Sequence, residues 1–193
     1  MKNDVEYRSF SIETDVAENA TTENFSVVGY ATLFEPYLLH DFGTRKTYEH
    51  ITRTAFDGVD FSDVIMLYNH EGRVLARCDN GTLEIRADER GLRVWADLSK
   101  SKYAREIYED IAAGLIRQMS WGFTMAEVDH VASGDNTNIQ TVKRIKKVYE
   151  VSAVSLPANN QTSIVAQRDS DKNRRNALKT AITTIIKKPL PIL

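Results

Sequence analysis

Two polar residues stand at the borders of apolar segments, where their side chains could act as a base and a nucleophile. His70 follows the apolar segment Val64–Asn69, and Ser120 follows a predicted helix and opens a predicted strand. An imidazole at a strand end can face a cleft. A small hydroxyl near Gly122 suits a nucleophile exposed to substrate. On the residues alone, structural roles for this histidine and serine are the more common outcome.

Other kinds of site lack their residue patterns. The chain has no glycine-rich phosphate loop and no dinucleotide fingerprint. The GxSxG elbow is missing, because Gln118 stands at its first glycine. We therefore expect no cofactor and no metal, since the histidines are scattered at His40, His50, His70 and His130. A Ser/His arrangement remains, and only the fold can assemble it.

Cys78 is the single cysteine, so an internal disulfide is excluded. It could serve as a nucleophile. A lone cysteine in a strand-like stretch is more often a small buried apolar residue, which is the interpretation that we favour.

Composition indicates one soluble domain. The chain has 193 residues, of which 42% are hydrophobic and 27% charged. Its net charge of −2 gives no general attraction to nucleic acid or to an acidic membrane. No apolar run reaches the roughly 20 residues that span a bilayer, and the N-terminus lacks the apolar segment of a signal peptide. We expect a protein that is made and used inside a cell.

The alternation of apolar and polar residues and the content of β-branched residues predict a mostly β body that forms a barrel or a sandwich. A hairpin is expected at Asp88–Gly91. The predicted strands cover 7–14, 25–34, 64–68, 82–87, 92–98, 119–128, 139–156 and 162–166.

Two helices are predicted to cover this body. The first spans 101–115 and places Tyr103, Ile107, Ile111 and Leu115 on one stripe. The second spans about 172–188. We divide the chain into a domain over 1–166 and a tail over 167–193, in which residues 168–193 carry seven bases against two acids. The tail could dock on a partner, be trimmed from the chain, or pack on the body. Contact with nucleic acid is the weaker interpretation.

Five motifs in a fixed order resemble the prohead (capsid maturation) serine proteases of tailed phages, relatives of herpesvirus assemblin. The resemblance covers about 25–165. Arg53-Thr54 replaces a common Pro-Gly, and Trp121 a common Ile. The motifs are Gly29–Phe34, Ile51–Phe56, Asn69-His70, Ala113–Phe123 and Tyr149–Asn159.

The resemblance implies an assemblin-like closed or partly open β-barrel with one main internal helix and a C-terminal helix. It also implies roles for three residues: Ser120 as nucleophile, His70 as general base, and Glu150 as the acid that orients the histidine. His130 or Asp129 is the alternative third member. Glu150 could instead be an exposed strand acid beside the basic residues 143–147.

The implied activity is that of a serine endopeptidase that cleaves the major capsid protein or its scaffold segment, and itself, inside the assembling prohead in the host cytoplasm. A homodimer is a candidate active form. No membrane and no specific nucleic acid are expected as partners. Two other interpretations stay open: a non-catalytic assembly protein with the same fold, and an unrelated β-barrel binding module.

Overall fold

The computed structural model describes residues 5–11, 25–134 and 136–155. These residues form ten strands, one α-helix and one 3-10 turn, so the mostly β prediction is confirmed. The elements are β1 (Glu6–Ser11), β2 (Ser26–Leu33), β3 (Tyr37–Asp41), β4 (Lys46–Ile51), the 3-10 turn (Arg53–Phe56), β5 (Ile65–Tyr68), β6 (Glu71–Arg77), β7 (Leu83–Ala87), β8 (Gly91–Asp97), α1 (Lys102–Ala112), β9 (Gln118–Ala132) and β10 (Thr137–Val154).

The predicted strands within the described residues correspond to β1, β2, β5 and β7–β10, with small shifts at their ends. Strands β3 and β4 were not predicted, because they are short and polar side chains interrupt their apolar residues. Strand β6 was anticipated only as the strand-like stretch that leads to Cys78. The predicted strand at 162–166 and the C-terminal helix lie outside the described residues.

The predicted hairpin and the first helix both form. Asp88 closes the hairpin, since its amide donates to the Gly91 carbonyl (2.9 Å). Ser101 caps the N-terminus of helix α1, since its hydroxyl accepts the amide hydrogen of Ala104 (3.0 Å). Ile107 and Ile111 are buried as predicted, but Leu115 lies beyond the helix end and is exposed. The predicted stripe is therefore one turn too long.

Strand β10 organises the larger sheet. One of its edges pairs with β9 in antiparallel fashion. Its other edge pairs with two parallel strands in succession, β4 along Thr137–Val142 and β5 along Glu150–Ala153. The main path of this sheet is β1-β9-β10-β4-β3, and β6 joins through β5. The smaller sheet has the order β2-β8-β7. The loop after β5 is thereby brought to the end of β10.

The core continues from the larger sheet to α1 and the smaller sheet. Trp121 and Phe123 are fully buried on one face of β9, and their rings stack with centroids 3.8 Å apart. Because side chains alternate along a strand, Ser120 and Gly122 point to the opposite face. That face is also buried along this stretch of β9. Both faces of the strand that carries Ser120 are therefore covered.

A buried ion pair joins two strands that are not neighbours. Arg8 of β1 donates to the Glu49 carboxylate of β4 through Nε (2.8 Å) and Nη2 (3.0 Å), although β9 and β10 lie between them. In a flat sheet, three strand spacings would separate β1 from β4 by roughly 14 Å. Side chains that stand perpendicular to such a sheet could not bridge that distance. The sheet must therefore curl, which the register shifts between β9 and β10 assist. The pairings of the described residues do not close a ring, and the assemblin-like barrel stays a prediction.

We predict that Glu49→Gln costs about 3–5 kcal/mol of unfolding free energy, because it removes the buried counter-charge of Arg8 and leaves only the partly exposed Glu6 carboxylate (2.9 Å) to pair with it. Gln140 and Tyr37 also donate to this carboxylate, so the amide would lose acceptor capacity for them. Urea unfolding measures the effect. The control is Lys143→Met, which breaks an exposed pair with Asp129 (2.6 Å) and should change stability little. Equal stability of the two variants would contradict the prediction.

Candidate active site

The carboxylate of Glu150 lies at the centre of the candidate site. Glu150 is only 6% exposed, so it is not the exposed strand acid that was the alternative. Its Oε1 lies 2.8 Å from Nδ1 of His70. Its Oε2 accepts the hydroxyl hydrogen of Ser152. A buried carboxylate needs such partners, and here they include the predicted base.

His70 occupies the tight turn between β5 and β6. Asn69 (φ 50°) and His70 (φ 65°) both have left-handed backbone conformations, as the two central residues of a type I′ hairpin turn require. Asn is well suited to its position, whereas the second position usually takes Gly. The turn is fixed to β10, since the Asn69 amide donates to Ala153 O (2.9 Å) and the His70 amide to Ser152 Oγ (3.2 Å). The imidazole is therefore held at a position whose positive φ favours glycine over residues that carry a side chain.

The Glu150 contact sets the tautomer of His70. A carboxylate accepts hydrogen bonds, so Nδ1 carries the hydrogen and Nε2 keeps its lone pair. This is the form in which a histidine can act as a base toward a hydroxyl. The ring of Tyr7 packs edge-on against the imidazole, with centroids 4.6 Å apart, and limits its rotation further.

Gly122 makes room for this arrangement. It pairs with Glu150 across β9 and β10 and with Tyr7 across β1 and β9. A Cβ at Gly122 would lie 2.8 Å from Glu150 Oε1 and 3.1 Å from the Tyr7 ring. The groups that approach this glycine closely are therefore the carboxylate and the aromatic ring.

Ser120 pairs with Ser152 across β9 and β10, on the face that carries Gly122 and Glu150. It is 0% exposed, which corrects the expectation of a hydroxyl exposed to substrate. Its Oγ donates to the backbone carbonyl of Arg8 (2.8 Å). Within the described residues, no hydrogen bond joins Ser120 to His70. The structure thus pairs His70 with Glu150 and holds Ser120 nearby, turned toward β1.

The alternative third residues lie elsewhere. Asp129 and His130 are exposed on the outer half of β9, nine and ten residues beyond Ser120. At about 3.4 Å per residue, that is roughly 30 Å along the strand. Asp129 is paired with Lys143 instead. Of the three candidates, only Glu150 contacts His70.

Cys78 has the properties of a structural residue. It is partly buried and packs against the core. Burial, with the negative charge of Asp79, raises the pKa of its thiol to about 11. The reactive thiolate is therefore scarce near neutral pH. In the described part of the chain, no cluster of side chains could hold a metal ion, and no helix is long and apolar enough to cross a membrane.

Three contributors to the site were missed from the sequence. Ser152 could have been found, since residues two apart on a strand share a face and Ser152 follows Glu150 at that spacing. Tyr7 and Arg8 gave no such signal, because they reach the site from a distant strand. Their contribution depends on the pairing of β1 with β9.

Residues 11–176 match the family model described as caudovirus prohead serine protease. The match covers most of the 193 residues. The chain belongs to this family. Searches of curated proteins and of solved structures found no match. The prohead protease family implies serine protease activity in the maturation of phage heads.

The strain at His70 predicts an unusual ranking of two substitutions in this prohead protease. Both His70→Ala and His70→Gly remove the imidazole and should abolish cleavage. Glycine accepts φ 65° freely, so His70→Gly should be more stable than His70→Ala by about 1–2 kcal/mol. The control is Glu71, which begins β6 outside the left-handed region. At position 71, urea unfolding should show that Glu71→Ala is more stable than Glu71→Gly. The same ranking at both positions would contradict the interpretation.

The space above Gly122 predicts the effect of one added methyl group. Gly122→Ala should push the Glu150 carboxylate away from His70 and lower kcat/KM for a peptide substrate about 10²-fold. The control is Gly81→Ala, where φ is +73° and no atom lies within 4 Å of the added Cβ. It should lose stability through strain and keep its kcat/KM. Unchanged kcat/KM in Gly122→Ala would show that Glu150 does not need its present position.

Proposed function

We propose that the chain is a head-maturation serine endopeptidase in which Ser120 is the nucleophile, His70 the general base and Glu150 the residue that orients the base. The observation that carries this proposal is the partly buried contact between His70 Nδ1 and Glu150 Oε1 beside a serine on the same face of the sheet. Membership of the prohead serine protease family supports the reaction type.

The proposed mechanism begins with a change at Ser120. Its hydroxyl leaves the Arg8 carbonyl and donates to Nε2 of His70. Oγ then attacks the scissile carbonyl carbon while Nε2 takes the proton. The imidazolium that forms is stabilised by the Glu150 carboxylate. His70 next gives the proton to the leaving amine, and water releases the acyl group by the same two proton transfers.

Ser152 has a positioning role in this scheme. Its hydroxyl donates to Glu150 Oε2 and accepts the His70 amide hydrogen, so it holds the acid and the turn that carries the base. It is also a second buried serine near His70. Its hydroxyl proton, however, is directed at a carboxylate that already serves the histidine. This contrast favours Ser120 as the nucleophile.

The proposed substrates are the major capsid protein, its scaffold segment and the protease itself, and the proposed place of action is the prohead interior in the host cytoplasm. Family membership supports capsid proteins as the general target. Self-cleavage, the homodimer and a partner for the tail stay predictions. The tail over 167–193 lies outside the described residues.

A non-catalytic assembly protein with the same fold is the second candidate. The observation that favours it is the complete burial of Ser120, whose hydroxyl is engaged by a backbone carbonyl. Co-expression with the capsid protein and its scaffold segment separates the two candidates, because an assembly partner would change shell formation without cutting either protein.

Ser120→Ala should abolish cleavage of the co-expressed capsid or scaffold protein, with a loss of about 10⁴–10⁶ in kcat. Glu150→Gln should lose about 10⁴-fold, since an amide cannot enforce the tautomer of His70. Ser120→Ala with His70→Ala should be no worse than either alone, because the residues act as a unit. Gel analysis of the head proteins measures all three.

The matched control is Ser152→Ala, which should retain measurable cleavage. A fluorophosphonate probe should modify Ser120 in wild type and in Ser152→Ala, as peptide mass spectrometry would reveal. Cys78→Ala should cleave like wild type. Cleavage by Ser120→Ala, or probe attached to Ser152, would overturn the assignment of the nucleophile.

A further inference from the structure

The N-terminal strand β1 covers the candidate nucleophile. We infer that β1 occupies the edge of β9 that a substrate peptide must take, so that the protease is latent until β1 is displaced. This inference rests on the proposed function, since it concerns access to the same serine. It goes further by naming the segment of this chain that blocks access and the strand edge that is released.

Strand β1 lies along the part of β9 that carries Ser120. The two strands pair from Glu6–Phe123 to Ser11–Gln118, with Ser9 opposite Ser120 in the middle of the ladder. The Arg8 carbonyl takes the Ser120 hydroxyl hydrogen at 2.8 Å. A nucleophile that is 0% exposed and bound to a backbone carbonyl can attack no other chain. Catalysis by Ser120 therefore requires β1 to move.

Strand β1 also contacts the proposed base. Tyr7 lies over Gly122 and packs against the His70 ring at 4.6 Å. The same strand thus contacts the serine through its backbone and the histidine through a side chain. Tyr7 is itself 45% exposed, so this contact lies at the surface, where an incoming peptide can compete for it.

Strand β1 can leave without breaking any other strand pairing. It is the terminal strand of its sheet and, among the described residues, pairs with β9 alone. The other edge of β9 stays paired with β10. The departure of β1 does break the two hydrogen bonds that Arg8 donates to the buried Glu49 carboxylate. This ion pair therefore sets how firmly the strand is held.

The family match leaves out most of β1. It begins at residue 11, so all but the last residue of β1 lie before it. Ser120, His70 and Glu150 all lie within the match. A segment that lies almost wholly outside the matched residues therefore covers the residues proposed for the family's reaction.

Displacement of β1 would expose the backbone N–H and C=O groups of β9 along Gln118–Phe123. A free strand edge binds extended peptides by adding them to the sheet. The occupant that we infer is thus an extended peptide segment, aligned antiparallel to β9 as β1 is. The peptide would reach Ser120 from the side on which the Arg8 carbonyl now lies.

A reversible lock tests the inference. Ser11→Cys with Gln118→Cys joins two Cα partners at the end of the ladder, and antiparallel partners lie within the range that a disulfide spans. Cys78→Ala removes the native thiol. We expect the oxidised protein to lose at least about 100-fold in cleavage and in fluorophosphonate labelling of Ser120, and to regain both after reduction. The single variants Ser11→Cys and Gln118→Cys in the same background control for the substitutions.

Equal cleavage by oxidised and reduced protein would overturn the inference and leave the proposed function intact. If wild type cleaves no head protein during co-expression in which shells form, the proposed function itself fails, whereas weak labelling of Ser120 in the isolated protein is what latency predicts. Hydrogen exchange of wild type provides a second measurement without any substitution. After fluorophosphonate modification of Ser120, the amides of β1 should lose protection while those of Glu150–Ala153 keep it. Retained protection of β1 in the modified protein would also overturn the inference.

Discussion

The burial of the Glu150 carboxylate is the constraint on which the rest of the site depends. A carboxylate that is 6% exposed needs donors on both oxygens, and it finds them in His70 and Ser152. The strand opposite must leave room for it, which explains a glycine at 122 between two large aromatic residues. The turn after β5 must bring an imidazole within reach, which explains a histidine at a positive φ. Each local irregularity serves this one buried charge.

A second buried carboxylate, that of Glu49 on β4, holds strand β1 in the same sheet. Glu49 is fully buried and binds Arg8, and the curl of the sheet brings the two strands together. Burial opposes the charge on Arg8, but the hydrogen bond and the charge of Glu49 outweigh it and raise the pKa of the guanidinium. In the proposed mechanism Glu150 orients the base, and Glu49 binds the strand that covers the proposed nucleophile. In the inferred latent form, one sheet holds the reacting groups ready and keeps them covered.

The sequence predicted what local pattern determines. The alternation of apolar and polar residues predicted β2, β7 and β8. The spacing of Ile107 and Ile111 predicted α1, and the residues Asp88–Gly91 predicted the hairpin. The contact of His70 with Glu150 was anticipated only through the family motifs, because 80 residues separate the two in the chain. The burial of Ser120 could not be predicted. It depends on β1, which reaches β9 across 112 residues, and no periodicity encodes which strand pairs at an edge.

Stability and reactivity oppose each other at both parts of this site. His70 lies where glycine would be more stable, so the turn sacrifices stability to hold the base. At Ser120 the opposite holds, since the arrangement that satisfies the hydroxyl and the edge of β9 is the one that prevents attack. A segment that covers the serine would keep such a protease inactive until the segment moves. In the inferred latent form, the contact of His70 with Glu150 is already made. Control then rests with one step, the movement of an edge strand that breaks the Arg8–Glu49 pair and leaves the His70–Glu150 contact in place.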